Sequence, residues 1–328
     1  MVIDMPANTP ATPRTTQDRP LIQVSGSIAF DTIMVFEGRF KDHILSDQVH
    51  MLNVAFLTPQ MRQEFGGCAA NIAYGLVGLG ASVSVVGALG KDGQAYRQRL
   101  EGLGVDITQT VMTEDHFTAQ AFITTDLDDN QITAFHPGAM EVAWQAKVAA
   151  GRPGLGIVSP NGKRAMLDHA AAFTAANIPF VFDPGQGLPM FSKEELLAVL
   201  RQSCWLAVND YEGEMLSRCV EMALPDVRQL LRPHPQGGVV VTRGAKGVWF
   251  VGADGEESLP AIPVSRAVDP TGCGDAFRAG LLWALSEGHS LAKSCRAGIV
   301  MGGLKVQSRG AQNHQVDRNQ ILAALSQE

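Results

Sequence analysis

Asp269-Pro270-Thr271-Gly272-Cys273-Gly274-Asp275-Ala276-Phe277 is the stretch from which the reading of this chain starts. After Arg278 comes the apolar run Ala279-Gly280-Leu281-Leu282-Trp283-Ala284-Leu285, which predicts a helix opening at the glycines. Closely spaced glycines at a helix mouth leave a concave row of backbone N–H groups, here those of Gly272, Cys273 and Gly274. Such a row, at the positive end of the helix dipole, holds an anion and above all a transferring phosphoryl group. Asp275 stands where that anion would lie. A carboxylate there repels a stably bound phosphate, so its presence needs a reason. Accepting the proton of a hydroxyl that attacks the phosphate is one reason; capping the helix and offsetting its dipole is another. A helix N-terminus favours the ionised carboxylate, so Asp275 is expected to be a weak base.

Working outward, Gly66-Gly67-Cys68-Ala69-Ala70-Asn71-Ile72-Ala73 opens a second helix. Three shorter segments complete the set: Gly26-Ser27-Ile28-Ala29-Phe30-Asp31, Asn209-Asp210-Tyr211-Glu212 and Thr242-Arg243-Gly244-Ala245-Lys246-Gly247. In this order, and together with the 269–275 loop, they resemble the signature regions of the ribokinase family, the PfkB-type sugar and nucleoside kinases. The resemblance runs from about Leu21 to the C-terminus. Cys273 departs from it, because the family usually has Ala there. An anion hole uses the N–H of that residue, so a slightly larger side chain is tolerated.

The resemblance implies an α/β fold, a three-layer sandwich with a mainly parallel central sheet plus a small β-sheet lid. It also implies ATP-dependent phosphoryl transfer. Asp275 would then take the hydroxyl proton while Gly272, Cys273 and Gly274 hold the developing charge. Asp31 would accept hydrogen bonds from two sugar hydroxyls, and Gly66, Gly67 and Asn71 would complete the sugar site. Asn209, Thr242, Gly244 and Gly247 would bind ATP, and Glu212 would order Mg²⁺ through water. Asp269, with the loop Arg309-Gly310-Ala311-Gln312, resembles the family's potassium-binding region. Each residue also has an ordinary structural role open to it. Asp31 suits a turn, Gly66-Gly67 a helix entry, Asn209 and Glu212 a capping box, and 242–247 a turn between strands.

Composition sets outer limits. At 328 residues, 45% hydrophobic and 18% charged, the chain is globular and long enough for one large α/β domain or two ordinary ones. A net charge of −7 offers no sequence-independent attraction to nucleic acid or an anionic membrane. No apolar run reaches the roughly 18 residues of a membrane span. The five cysteines, two of them inside the glycine-rich motifs, form no CxxC pair and fit reduced thiols in the cytoplasm. Residues 1–20, rich in Pro, Thr, Ala and Asn, read as a disordered tail ahead of a kinase domain at 21–328. Neither Gly-x-x-x-x-Gly-Lys-Ser/Thr nor Gly-x-Gly-x-x-Gly occurs, which disfavours a P-loop kinase and a dehydrogenase. The eight histidines show no metal-ligand spacing.

Short apolar runs at 21–24, 83–86, 154–158, 179–182, 205–208 and 239–242 read as strands, with helical patterns at 193–201 and 211–220 between some of them. This alternation argues for a parallel sheet covered on both faces, with ligands beyond its C-terminal strand ends. Asp31, Asp183, Asn209 and Arg243 fall there. Residues 49–56 and 117–135 have strand character without intervening helices, and Asp128-Asp129-Asn130 suits a hairpin turn. The resemblance implies that these form a lid, at about 32–62 and 112–138, which excludes water from the reaction.

The family contains sugar, nucleoside and vitamin-precursor kinases. The long segment between Asp31 and Gly66, ending in Arg62-Gln63-Glu64-Phe65, looks like the bacterial adenosine-kinase-like branch of purine nucleoside kinases. That implies transfer to the 5′-hydroxyl of adenosine, with inosine and guanosine as further acceptors. Gln48 and Gln120 carry amides able to pair with a purine edge. Met34, Phe117 and Phe135 either contact the base or pack the lid. The alternatives are a ribose or fructose kinase and a non-catalytic nucleoside or ATP sensor; the presence of both Asp31 and Asp275 speaks against the sensor. A monomer and a homodimer both remain open.

Overall fold

The computed structural model describes residues 20–44, 54–128, 130–150 and 154–326. Except for Pro20, the expected tail lies outside these residues, and so does Gln48. In chain order the strands are β1 (Leu21–Ser25), β2 (Ala29–Val35), β3 (Gln60–Gly66), β4 (Ser82–Val86), β5 (Ala88–Leu89), β6 (Val111–Met112) and β7 (Ala119–Thr125). They continue with β8 (Gln131–His136), β9 (Gly154–Val158), β10 (Phe180–Phe182), β11 (Trp205–Asn209), β12 (Gly238–Thr242), β13 (Val248–Gly252) and β14 (Gly255–Leu259). The longer helices are α1 (Cys68–Gly78), α2 (Gln94–Gly102), α3 (Lys163–Ala175), α4 (Lys193–Leu200) and α5 (Asp210–Val220). After the short α6 (Leu224–Val227) come α7 (Cys273–Ser286), α8 (Leu291–Lys305) and α9 (Arg318–Leu325).

The main sheet runs β14-β13-β12-β11-β10-β9-β1-β4. It is parallel from β4 to β12, and β13 and β14 close one edge antiparallel. Side-chain alternation along its buried strands builds two separate cores. Val181, Trp205, Ala207 and Val240 join one core with residues of α1, α2, α7, α8 and α9. Their neighbours Phe180, Phe182, Leu206, Val208, Val239 and Val241 join the other, with residues of α3, α4 and α5. Three layers result, as expected. Helix α7 is buried on every side from Ala276 to Leu285, because it packs between α1, α8 and the sheet.

β1 lies between β4 and β9, parallel to both. The chain leaves β1 in one direction, with α1 on one face, and returns on its other side, with α3 on the opposite face. The crevice at such a switch point, outside the carboxyl ends of the strands, is where open α/β sheets bind ligands.

A second sheet of order β3-β2-β7-β8 stands apart from the first. β7 and β8 pair antiparallel as the hairpin that Asp128-Asp129-Asn130 suggested, Asp129 itself lying outside the described residues. The strand expected at 49–56 is different. Its described part, 54–56, carries no strand, and the partner of β2 is instead β3. Most of β3 is solvent-exposed and it forms a sheet edge, so its sequence QMRQEFG lacks the apolar alternation that marks a half-buried strand.

Candidate active site

β1 ends at Ser25, and the turn that follows starts both β2 and α1. Ser27 Oγ accepts from the Cys68 N–H at 3.0 Å, and the Ser27 carbonyl accepts from the Ala69 N–H at 3.0 Å. The turn thus satisfies two of the donors that every helix leaves unpaired at its start. This contact requires Gly67, which has φ of +87°; a Cβ there would lie 2.6 Å from the Ala29 nitrogen. Gly66 is open for another reason: a Cβ would lie 2.4 Å from Asp31 Oδ2. The Asp31 carboxyl rests directly on this backbone. Burial, then the charges of Asp275, Glu64 and Asp269, push its pKa up to about 6.

Asp275 lies in the first turn of α7 and receives a hydrogen bond from Asn71 Nδ2 at 2.8 Å. The orientation of Asn71 is fixed from behind. Its Oδ1 accepts from Gln312 Nε2 at 3.0 Å, and the same nitrogen donates to the Tyr96 hydroxyl at 2.7 Å. Tyr96 in turn donates to the Gly66 carbonyl at 2.5 Å. A continuous hydrogen-bond chain therefore runs from Gly66 to Asp275, and it leaves the Asn71 amide nitrogen facing the carboxylate. Burial raises the Asp275 pKa, against the Asn71 hydrogen bond, the Arg278 charge and a contact with Cys68. The expected weak base is corrected here: desolvation outweighs the helix N-terminus and makes Asp275 a stronger base than an ordinary carboxylate. Tyr96 is absent from the sequence reading. Its only signal is a tyrosine on a core-facing helix position, whose hydroxyl must find a partner.

Arg278, one turn after Gly274, donates to the Gly274 carbonyl at 3.1 Å and to Asp183 Oδ1 at 2.7 Å. Both partners of this ion pair are almost fully buried. Burial works against the guanidinium, but the Asp183 carboxylate and the neighbouring acids hold Arg278 above its ordinary pKa, while burial pushes Asp183 up to about 7 against the pull of Arg278. Asp183 sits beyond β10, at the strand end that the sequence marks as polar; Arg278 reads there as part of an apolar helix. Removing one partner strands a buried charge. Arg278→Met should therefore cost about 3–5 kcal/mol in urea unfolding, and the double variant with Asp183→Leu should recover much of it. A loss confined to a few tenths of a kcal/mol would show that the pair has no structural weight.

The other expected residues divide by position. Asn209 and Thr242 are neighbours in register at the carboxyl ends of β11 and β12, and Gly244 and Gly247 follow in the next turn. A Cβ at Gly247 would lie 2.0 Å from the Leu259 carbonyl, so the hairpin itself needs this glycine; Gly244 faces open space. Asn209 and Glu212 form the capping box: Glu212 N–H donates to Asn209 Oδ1 at 2.7 Å and Asn209 N–H to Glu212 Oε2 at 2.8 Å. Glu212 still lies close enough to Asp183 and Arg278 for its charge to act on both. At the mouth of α7, Gly272 has φ of +77° and packs on the 311 backbone, where a Cβ would lie 2.7 Å from Ala311 Cβ. Cys273 turns its thiol toward the Asp269 carbonyl at 3.9 Å, and its N–H, expected to face the phosphoryl group with those of Gly272 and Gly274, instead donates to the Pro270 carbonyl at 3.1 Å. Asp269 accepts from the N–H groups of Thr271 and Gly310, both at 2.9 Å.

In the small sheet, register decides which residues can face the site. Asp31 pairs with Glu64 and Ala121, and Ala121 with Phe135, so these four share one face. Gln120 pairs with Phe30 and lies on the opposite face, where its amide donates to Thr32. Met34 is on that opposite face too. Phe117 precedes β7 and carries the Lys91 ammonium 4.1 Å above its ring. Among the described residues, no group of three or more His, Cys, Asp and Glu side chains converges as a metal centre. Among them, too, no helix is long and apolar enough to cross a membrane.

The chain matches the model of the pfkB family carbohydrate kinases over residues 35–318. A nucleoside kinase of Methanothermobacter thermautotrophicus is 32% identical, over 94% of this chain and 96% of its own. The structure of the Burkholderia thailandensis nucleoside kinase in complex with inosine superimposes with a TM-score of 0.81 at 41% identity, covering 93% of this chain and 96% of that one. Its complex with ADP-inosine gives a TM-score of 0.79 at 43% identity, covering 93% and 94%. Signature segments, fold and alignment agree over nearly the same span, and the chain belongs to the pfkB family of carbohydrate kinases.

Proposed function

We propose that the protein is an ATP-dependent nucleoside kinase that transfers the γ-phosphoryl group to the 5′-hydroxyl of a purine nucleoside. The Asn71–Asp275 hydrogen bond carries this reading. It joins the helix that opens at Gly66-Gly67, beside Asp31, to the helix that opens at the 272–274 glycines. A sugar hydroxyl held on the first side therefore meets a phosphoryl group held on the second, at Asp275. The kinship with nucleoside kinases supports a nucleoside as the acceptor, and the inosine bound by the Burkholderia kinase supports a purine. Adenosine is the first acceptor to test, followed by inosine and guanosine. The five cysteines are all free thiols, which fits a cytoplasmic enzyme.

Asp31 accepts two ribose hydroxyls; Gly66 and Gly67 serve the sugar site indirectly, because the Asp31 carboxyl and the 27–29 backbone already fill the space that their missing Cβ atoms leave. Asp275 takes the 5′-hydroxyl proton as the oxygen–phosphorus bond forms and the bond to ADP breaks. The N–H groups of Gly272 and Gly274 face the charge that develops on the phosphoryl oxygens. Asn209, Thr242 and Gly244 line the nucleotide side. Mg²⁺ would be held by the nucleotide phosphates, with Glu212 reaching it through water, and would neutralise phosphate charge there.

A panel of nucleosides and free sugars with MgATP, scored by phosphorylated product, tests the proposal. A purine adds a broad apolar surface that Phe135, on the Asp31 face, can cover. At about 25 cal/mol per Å², roughly 100 Å² of it contributes about 2.5 kcal/mol before ordering costs. Adenosine or inosine should therefore exceed ribose and fructose in kcat/KM by at least about tenfold. Comparable efficiency with ribose would make the enzyme a sugar kinase.

The pH dependence follows from Asp31. Its two oxygens both accept from the ribose hydroxyls with the strength of a charged acceptor only when the carboxyl is ionised, and burial pushes its pKa up to about 6. Nucleoside KM should stay flat above that value and rise by up to about tenfold per pH unit below it, as the protonated fraction grows. A KM that is constant well into the acid range would remove Asp31 from the binding site.

A further inference from the structure

The last residue of α8 is a lysine on the stripe that faces the core. Lys305 follows Ala297 and Met301 at intervals of one helical turn, and like them it is fully buried. Its ammonium donates to the Asp269 carbonyl at 2.8 Å and to the Ser308 carbonyl at 3.0 Å. Around it, the Val268 and Asp269 N–H groups donate to the Val306 carbonyl, and the Gly310 N–H donates to Asp269 Oδ2. Burial tends to raise the Asp269 pKa, but the N–H groups of Thr271 and Gly310 and the Lys305 charge hold it below the ordinary carboxylate range. An ammonium thus sits between the segment leading into the anion loop and the segment leading to Gln312. The first segment sets Gly272, which packs on Ala311; the second holds Asn71 against Asp275.

This is the region that resembles a potassium site, and the residues present do not fit one. A monovalent cation needs oxygen atoms with free lone pairs. Here two carbonyl oxygens already accept from an ammonium that carries the same unit charge. A bare cation placed beside it would meet like charge at a few ångströms in a buried setting, which is strongly unfavourable.

We propose that the Lys305 ammonium is the built-in monovalent cation of this kinase, a positioning group that fixes the anion loop and the Asn71 support so that phosphoryl transfer requires no added potassium. The inference rests on the kinase reading. Its experiment uses the full chain with a purine nucleoside and MgATP, in potassium, sodium or tetramethylammonium salts at equal ionic strength. Wild type should show the same kcat in all three to within about twofold, the scatter that salt screening leaves. A potassium-specific rise beyond that overturns the inference. Lys305→Ala removes the ammonium and frees the carbonyls. Its kcat in tetramethylammonium should fall by about tenfold or more, and potassium should restore part of it. Potassium should also raise the melting temperature of this variant and leave that of wild type unchanged, since only the variant has a site to fill. A variant as active as wild type without potassium overturns the inference. If Lys305→Ala does not fold, the wild-type cation comparison decides alone. Absence of product under every cation would instead refute the kinase reading, whereas potassium-activated turnover refutes only the role of Lys305.

Discussion

Asp275→Asn should lower kcat by roughly 10²–10⁴-fold, the usual range for losing a general base, and change nucleoside affinity by no more than about threefold. The amide oxygen of the new side chain can still accept the hydrogen bond from Asn71 Nδ2, so the support chain through Gln312 and Tyr96 is kept. Only the proton acceptor is lost. Stability provides an independent check. Burial raises the Asp275 pKa, so its ionised form is disfavoured in the folded state. The sign follows from linkage. Below the unfolded-state pKa the protonated group carries no penalty, and the penalty grows as pH rises through the folded-state value. At neutral pH an uncharged Asn relieves it, and the variant should melt no lower than wild type. Turnover is followed by product formation, affinity by calorimetry with adenosine or inosine, and stability by thermal unfolding. A folded variant with near-normal kcat would leave Asp275 as a helix cap and nothing more.

Asp31→Ala should act on the other substrate property. Two charge-assisted hydrogen bonds to ribose hydroxyls are worth on the order of 1.5–3 kcal/mol each when desolvated. Nucleoside KM should accordingly rise by about tenfold for one lost bond and about a hundredfold or more for two, with the KM for ATP little changed. The 2′-deoxynucleoside separates this contact from general damage. Wild type should use it poorly, because one donor to Asp31 is missing, and the variant should discriminate less. Equal use of adenosine and 2′-deoxyadenosine by wild type would exclude the proposed diol contact. The Asp31 carboxyl rests on Gly66, so its removal opens space and creates no clash. A collapse of the fold would be unexpected.

Both substitutions address residues that stood out in the sequence, and there is a physical reason that they did. Strand–helix alternation and paired glycines are local properties, written in a period of apolar residues and in the absence of a Cβ. From them followed the parallel sheet, the two glycine-opened helices and the positions of Asp275, Asn209 and Thr242 at strand ends or helix mouths; Asp31, expected in a turn beyond the first strand, instead lies inside β2 of the small sheet. The small sheet was only half legible. Its β7–β8 hairpin carries a turn signal, whereas the solvent-exposed edge strand β3 has no apolar pattern to read.

What the tertiary structure alone decided depends on neighbours that are distant along the chain. Asn71 and Asp275 are 204 residues apart, and Gln312 reaches Asn71 across 241. No periodicity encodes such a contact. The Asp275 pKa moved opposite to the expected direction because desolvation is set by everything packed around a carboxyl, while the helix dipole is set by its own helix. Gln120 is one residue from the register that would turn it toward Asp31, and a sheet of period two sends it to the other face. Lys305 reads in sequence as an ordinary basic residue at a helix C-terminus. Its burial against the Asp269 carbonyl, 36 residues earlier, is what makes it a candidate cation.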